Sequence, residues 1–132
     1  MPGDNAATVA IGAAVEFPQD GETNGVIVRS SASQFTLPAI GTYEVSFQVS
    51  VSESGQLAIW LNGAAVATVT PRSRAGRATV TSLITNAVLI ATTAANMVLT
   101  IVNDASASAL TITTSAGGTE SVSASLVIKR IA

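Results

Sequence analysis

Apolar and polar residues alternate most clearly over residues 42–51, which read TYEVSFQVSV. The intervening positions of this segment are polar, and five large side chains fall on its other face: Tyr43, Val45, Phe47, Val49 and Val51. A period of two places successive side chains on opposite faces of a β-strand. The pattern therefore predicts a strand over residues 42–51 with one face in a core.

An Asn-Gly pair at positions 62 and 63 predicts a β-hairpin. It is flanked on both sides by short apolar segments. Both residue types tolerate the positive φ that a type I′ turn requires. Strands over residues 56–61 and 65–70 are therefore expected to pair antiparallel, and the alternative is an irregular loop around the Asn-Gly pair.

Short apolar runs separated by Gly, Pro and small polar residues occupy the rest of the chain. Further strands are predicted at residues 8–11, 26–29, 78–84, 87–92, 97–102, 110–114 and 121–131. Residues 71–77, which hold three of the six basic side chains, are predicted to form an exposed loop. No segment fits a helix of three turns. Short strands with turn signals about every 8–12 residues are typical of an all-β sandwich or barrel.

The chain contains no Cys and no His, and its formal net charge is −2. Without thiolate or imidazole side chains, most nucleophilic active sites and transition-metal sites cannot be built. The sequence is therefore not expected to be an enzyme or to hold a cofactor. A weakly acidic chain also lacks the basic field that attracts a phosphate backbone, so nucleic-acid binding is not expected.

Hydrophobic residues make up 48% of the chain and charged residues only 11%. No run approaches the about 18 consecutive apolar residues of a membrane-spanning helix, so membrane insertion is not expected. The apolar surface must then be buried elsewhere. A core between two sheets and an interface with other copies of the chain are both expected.

Four segments in order carry a resemblance to a known family. Residues 35–47, FTLPAIGTYEVSF, resemble the aromatic, Pro, Gly and Tyr run of the C1q/TNF-like jelly rolls. Residues 57–66, LAIWLNGAAV, and 123–132, SASLVIKRIA, are similar to the C-terminal domains of BclA-type collagen-like glycoproteins. Residues 16–18, EFP, match a short segment of such domains. Those proteins form the hair-like nap of the exosporium on bacterial spores.

The resemblance implies an all-β, C1q/TNF-like jelly-roll β-sandwich of two antiparallel sheets that assembles as a compact homotrimer. Residues 14–132 would form this domain, and residues 1–13 an N-terminal extension or the stub of a collagen-like stalk. The implied function is non-enzymatic: a structural, trimerising head of a spore-surface filament, with adhesion to a host or glycan ligand as an added role. Such a head would hold three collagen chains in register by raising the local concentration of their ends.

The resemblance also implies where the trimer contacts lie. In TNF-like trimers the sheet that includes the first, third and last strands faces the threefold axis, which here indicates residues 42–51, 97–102 and 121–131. The predicted contact residues are Val98, Val102, Val127 and Ile131. The residues that alternate with them on the same strands are predicted to face the core: Leu99, Ile101, Leu126 and Ile128. The reverse assignment of the two faces is the alternative.

A carbohydrate-binding, lectin-like adhesin head is the second hypothesis, and a trimeric phage-like tail-fibre tip is the third. Trp60 offers a ring that can stack on a sugar, although packing in the core or an interface is the preferred interpretation. Arg72, Arg74 and Arg77 can bind an anionic glycan or a partner's carboxylates, although a solvated loop is the preferred interpretation.

Three carboxylates near the N terminus, Glu16, Asp20 and Glu22, form a loose set that is able to bind calcium in a loop. They lack the alternating-oxygen spacing of an EF-hand loop, so solubilising charge is the preferred interpretation. A pair of catalytic carboxyls for glycoside hydrolysis must lie about 5–10 Å apart in a cleft. The sequence places no two carboxylates in such an arrangement.

Overall fold

The computed structural model describes residues 8–65, 73–77, 82–104, 106–112 and 124–132, and within them the chain is all-β. The strands are β1 (Thr8–Val9), β2 (Val28–Arg29), β3 (Phe35–Leu37), β4 (Thr42–Val51), β5 (Gly55–Leu61), β6 (Ala64–Ala65), β7 (Arg74–Arg77), β8 (Ser82–Ala91), β9 (Met97–Asn103), β10 (Leu110–Thr111) and β11 (Ala124–Arg130). No helix in the described ranges is long and apolar enough to cross a membrane.

Two antiparallel sheets form the body of the fold. The smaller sheet has the order β11-β4-β8, and the larger has the order β2-β3-β9-β5-β6, with β7 also paired to β5. A short pair, β1 with β10, lies beside them. One apolar cluster takes buried side chains from β4 and β8 of the smaller sheet and from β5 and β9 of the larger. The core therefore lies between the two sheets.

Strand β4 confirms the prediction made from the alternating pattern, with the same bounds. The side chains of Tyr43, Val45 and Val49 are completely buried, and those of Phe47 and Val51 nearly so. The Tyr43 hydroxyl donates a hydrogen bond to the Ala39 carbonyl oxygen at 2.6 Å. β4 thus places an apolar face in the core and leaves its polar face on the outside of the smaller sheet.

The predicted hairpin is also confirmed. Asn62 and Gly63 both have positive φ, 50° and 79°, as a type I′ turn requires. The flanking residues pair as Trp60 with Ala65 and Leu61 with Ala64, which defines β5 and the start of the returning strand. Residues 66–70 of the predicted second strand lie outside the described residues.

The prediction of an exposed loop over residues 71–77 is wrong for residues 74–77. Residues 74–77 form β7, whose backbone pairs antiparallel with residues 55–58 of β5. Ala75 packs against the core cluster. A Cβ at Gly76 would lie 3.0 Å from the Gln56 Cβ, so the glycine permits the close approach of the two strands. Pairing with β5 therefore overrides the breaker-rich composition, and residues 71–72 lie outside the described residues.

The two strands predicted at residues 78–84 and 87–92 are one strand from residue 82 onward. β8 is continuous over ten residues and pairs with β4 along its whole length, from Val51 opposite Ser82 to Thr42 opposite Ala91. The ladder to β4 continues across the polar pair Thr85 and Asn86, where the sequence suggested a break. Residues 78–81 lie outside the described residues.

The other predicted strands are present with shifted ends, as β1, β2, β9, β10 and β11. The ends predicted at residues 113–114 and 121–123 lie outside the described residues. Two strands form where none was predicted: β7, described above, and β3 at residues 35–37. β3 pairs with β2, which comes just before it in the chain, and with β9, which is distant in the sequence.

Candidate functional site

The outer face of the smaller sheet is the first candidate surface. The register sets Val127 of β11 beside Ser46 of β4 and Ser46 beside Ala87 of β8. The row next to it holds Lys129, Glu44 and Leu89. Ser46 and Ala87 have short side chains, whereas the neighbouring rows carry longer ones, including Glu44 and Gln48 of β4.

Large apolar side chains on this face are exposed rather than buried. Their exposed fractions are 60% for Val127, 52% for Leu89 and 38% for Leu83, and Ile131 just after β11 is 49% exposed. The Lys129 ammonium lies 3.8 Å from the Glu44 carboxylate, so the two charges of this face largely cancel. These side chains lie on the two outer strands of the sheet, β8 and β11, and exposed apolar side chains on one face make it a candidate protein interface.

The structure separates the predicted contact residues. Val127 and Ile131 lie on the exposed side of β11 and beyond its end. Val98 is half-buried on β9, and Val102 on the same strand is buried, with 2% exposure. The prediction that strands 42–51, 97–102 and 121–131 share one sheet is wrong, because β9 pairs with β3 and β5 while β4 pairs with β8 and β11.

The residues predicted to face the core do so. Leu99 and Ile101 are completely buried in the core cluster. Leu126 and Ile128 are half-buried and pack against it. Their incomplete burial has a local cause: β11 is hydrogen-bonded to β4 on one side only, within the described residues, and a groove runs along its other edge.

A side-chain cluster on the larger sheet joins two residues that were predicted to bind ligands. The Trp60 indole N–H donates to the Asp104 carboxylate at 3.4 Å, and the Arg74 guanidinium forms an ion pair with the same oxygen atom. Asp104 is 16% exposed. It therefore ties β5, β7 and the end of β9 together, and the Arg74 charge is engaged inside the chain. This arrangement favours a structural role for both residues.

Of the other two arginines in the predicted ligand set, the structure describes only the backbone of Arg77. Arg77 lies opposite Gly55 in the β7–β5 ladder, and Arg72 lies outside the described residues. Two buried polar atoms here, Ser73 Oγ and Arg74 Nε, have no hydrogen-bond partner among the described residues. The sequence analysis did not single out Asp104.

The N-terminal carboxylates are not arranged as a metal site. Asp20 accepts hydrogen bonds from Arg29 at 2.7 and 3.3 Å, and this contact lowers the pKa of Asp20 from its usual value. In the described parts of the chain, no group of three or more acidic, His or Cys side chains lies close enough to hold a metal ion.

A third carboxylate has a fixed structural contact. Glu53, between β4 and β5, accepts a hydrogen bond from the Thr111 backbone amide at 2.6 Å and one from the Thr111 hydroxyl at 2.8 Å. These hydrogen bonds lower the pKa of Glu53 from its usual value. Because Thr111 belongs to β10, the contact fastens the β1–β10 pair to the turn that links the two main sheets.

The sequence was compared with protein-family models and with curated proteins. No family model matches the sequence, and no curated protein matches it. Two features of the described structure are candidate surfaces: the outer face of the smaller sheet, and the edge of β11 that faces away from β4.

Proposed function

We propose that the chain is a non-enzymatic, trimerising globular head, of the kind that the sequence resemblance implies for collagen-like spore-surface filaments. The observation that carries the proposal is the outer face of the β11-β4-β8 sheet. Exposed Val127 and Leu89 lie on its two outer strands, on either side of the polar face of β4. In a monomer these apolar side chains are left in water.

The order of the strands supports a jelly roll as the finer description of the fold. Along the chain, β3 lies in the larger sheet, β4 in the smaller, β5 and β7 in the larger, β8 in the smaller, β9 in the larger and β11 in the smaller. A jelly roll likewise passes its strands back and forth between two facing sheets, through Greek-key connections. The proposed trimer then uses the outer side of one sheet of a jelly roll.

A threefold assembly suits this face and the proposed task. A head-to-tail contact between two different patches closes into a ring when the rotation is 120°. Three chains held this way keep the residues before each domain close together, and this raises the local concentration of any stalk strands joined to them. The spore-surface location, the collagen-like stalk and an adhesive role remain parts of this proposal.

Substitution within the face tests the proposal. Val127→Asp places a charge where a partner chain would pack, so it is expected to convert a trimer into a 13.2 kDa monomer with an unchanged β-sheet circular dichroism spectrum. Ile11→Asp is the matched control, since Ile11 is 54% exposed and lies in a turn outside this sheet. Light scattering coupled to size-exclusion chromatography gives both masses. An unchanged trimer with Val127→Asp would contradict the assignment of the face.

A further inference from the structure

Among the described residues, the edge of β11 that faces away from β4 pairs with no strand. This open edge borders a long groove, which we call the edge slot. Two adjoining cavities of about 500 and 520 Å³ form it, and they share Glu22, Thr23, Ile27 and Ile128. Together they follow β11 from Ala124 to Arg130, with residues 19–29 as the opposite wall. Seven residues of an antiparallel strand span about 24 Å, so the slot is as long as the strand beside it.

The opposite wall of the edge slot is held away from β11 by its own contacts. The Asp20–Arg29 ion pair closes residues 20–29 into a loop, and side chains of Thr23 and Asn24 accept hydrogen bonds from backbone amides two residues on. β2, at the end of the loop, pairs with β3. The wall is therefore anchored to the larger sheet, while β11 belongs to the smaller one.

Main-chain groups of β11 face into the edge slot. The Ile131 amide donates to the Thr42 carbonyl at 2.9 Å, which fixes the phase of the ladder with β4. Alternate residues of an antiparallel strand bond to the same neighbour, so residues 125, 127 and 129 face β4. The N–H and C=O groups of four residues then point away from β4, into the slot: Ala124, Leu126, Ile128 and Arg130.

The inner part of the edge slot is apolar. Phe17 and Phe35 meet edge to face, with ring centroids 6.0 Å apart, and they line the end nearest Ala124. The half-buried side chains of Leu126 and Ile128 line the same space. An unpaired strand edge beside apolar walls matches the chemistry of an extended peptide, whose backbone bonds to the edge and whose alternate side chains fill the pockets.

The charged side chains at the Arg130 end of the edge slot indicate which residue an added strand would place there. Arg130 donates a hydrogen bond to the Ile40 carbonyl and meets no carboxylate among the described residues. Glu22 lies on the opposite wall of the same end. Opposite charges directly across two strands stabilise their pairing. An added strand therefore fits best with an acidic residue opposite Arg130 and apolar residues opposite Ile128 and Leu126.

We propose that the edge slot binds one extended segment of a partner protein, about seven residues long, as an added strand on β11. The segment has apolar residues at alternate positions and an acidic residue at the Arg130 end. The chain's own first seven residues fit poorly, since four of them are of types depleted in strands: Pro2, Gly3, Asp4 and Asn5. β11 of a second copy is itself flanked by β4 and by residues 19–29, so it does not enter the slot.

The test is a titration of the ¹⁵N-labelled chain with the peptide acetyl-Glu-Thr-Val-Thr-Val-Thr-Val-amide, followed by NMR. Saturable shifts are expected in the amides of residues 124–130 and 19–29, with a Kd below about 1 mM. N-methylation of the first two valines keeps the side chains but removes main-chain donors, and it is expected to weaken binding about tenfold or more. No binding, or equal binding of the N-methylated peptide, would overturn the proposal.

Two further measurements complete the test: peptide binding by a charge-reversal variant, and the NMR signals of the N-terminal amides. Arg130→Glu, at an exposed position, is expected to reverse the preference between peptides that begin with Glu and with Lys. Movement of the amides of residues 3–7 to random-coil positions on adding peptide would mean that the chain's own segment fills the slot, against the proposal. The inference goes beyond the proposed trimer, and a monomeric chain leaves it standing.

Discussion

Replacing the Tyr43 side chain is the sharpest test of the packing between the two sheets. It lies in the middle strand of the smaller sheet, is completely buried, and donates its hydroxyl hydrogen to the Ala39 carbonyl. Replacing a buried aromatic ring with Ala costs about 3–5 kcal/mol, through lost burial and the cavity left behind. The loss of one hydrogen bond accounts for about 1 kcal/mol. Tyr43→Ala is therefore expected to lower the free energy of unfolding by about 4 kcal/mol, and Tyr43→Phe by about 1 kcal/mol.

Urea denaturation followed by circular dichroism measures these differences, at one fixed protein concentration because any assembly adds to stability. With an m value of about 2 kcal/mol/M, Tyr43→Ala shifts the midpoint by about 2 M. Val28→Ala is the control, since Val28 is 54% exposed and substitutions at such positions stay within about 0.5 kcal/mol. A cost below about 1 kcal/mol for Tyr43→Ala would refute the placement of β4 in the core.

Two further substitutions test contacts outside the core. Glu53→Gln removes a carboxylate whose pKa is lowered by hydrogen bonds from Thr111, and the stability that it contributes is present above its ordinary pKa of 4.5 and is lost as the pH falls through the lowered value. Urea midpoints measured from pH 7 to pH 3 are therefore expected to fall more steeply for the wild type than for this variant. Asp104→Ala leaves the Arg74 guanidinium and the Trp60 indole N–H without their shared acceptor, and is expected to cost about 1–3 kcal/mol. Because Trp60 is the only tryptophan, its fluorescence emission is also expected to shift to longer wavelength.

Each of these two substitutions has a result that would count against the structure. Parallel pH profiles for the wild type and Glu53→Gln would mean that the Glu53–Thr111 contact does not form. Unchanged Trp60 emission in Asp104→Ala, with stability also unchanged, would mean that Asp104 does not join β5, β7 and β9. Glu16→Gln is a matched control for the pH profile, because it removes a carboxylate that takes no part in the Glu53–Thr111 contact.

The elements that sequence reasoning predicted correctly are those whose signal is local. β4 follows from the alternation of its own ten residues, and the β5–β6 turn follows from Asn62 and Gly63. β7 was missed because its partners, β5 and Asp104, are distant in the sequence, while its own composition favours a loop. Pairing across the sheet decided the structure there.

The candidate surfaces show the same division between local and distant information. The parity of β11, with Val127 outward and Leu126 and Ile128 inward, is the one that the sequence analysis preferred, although apolar residues on both faces left the reverse open. The sheet to which β9 belongs cannot be predicted from the sequence of β9 itself, because pairing partners are set by the whole topology. The edge slot is also invisible in the sequence, since its walls come from residues 17–35 and from β11 at the other end of the chain.

The mass of the intact chain in solution tests the proposed trimer most directly. Light scattering during size-exclusion chromatography, repeated on dilution to low micromolar concentration, compares the particle with the 13.2 kDa of one chain. A mass near 40 kDa, three times that of one chain and stable on dilution, is the expected result. A mass of 13.2 kDa at every concentration would contradict the trimerising head and leave the outer face of β11-β4-β8 without its proposed partner.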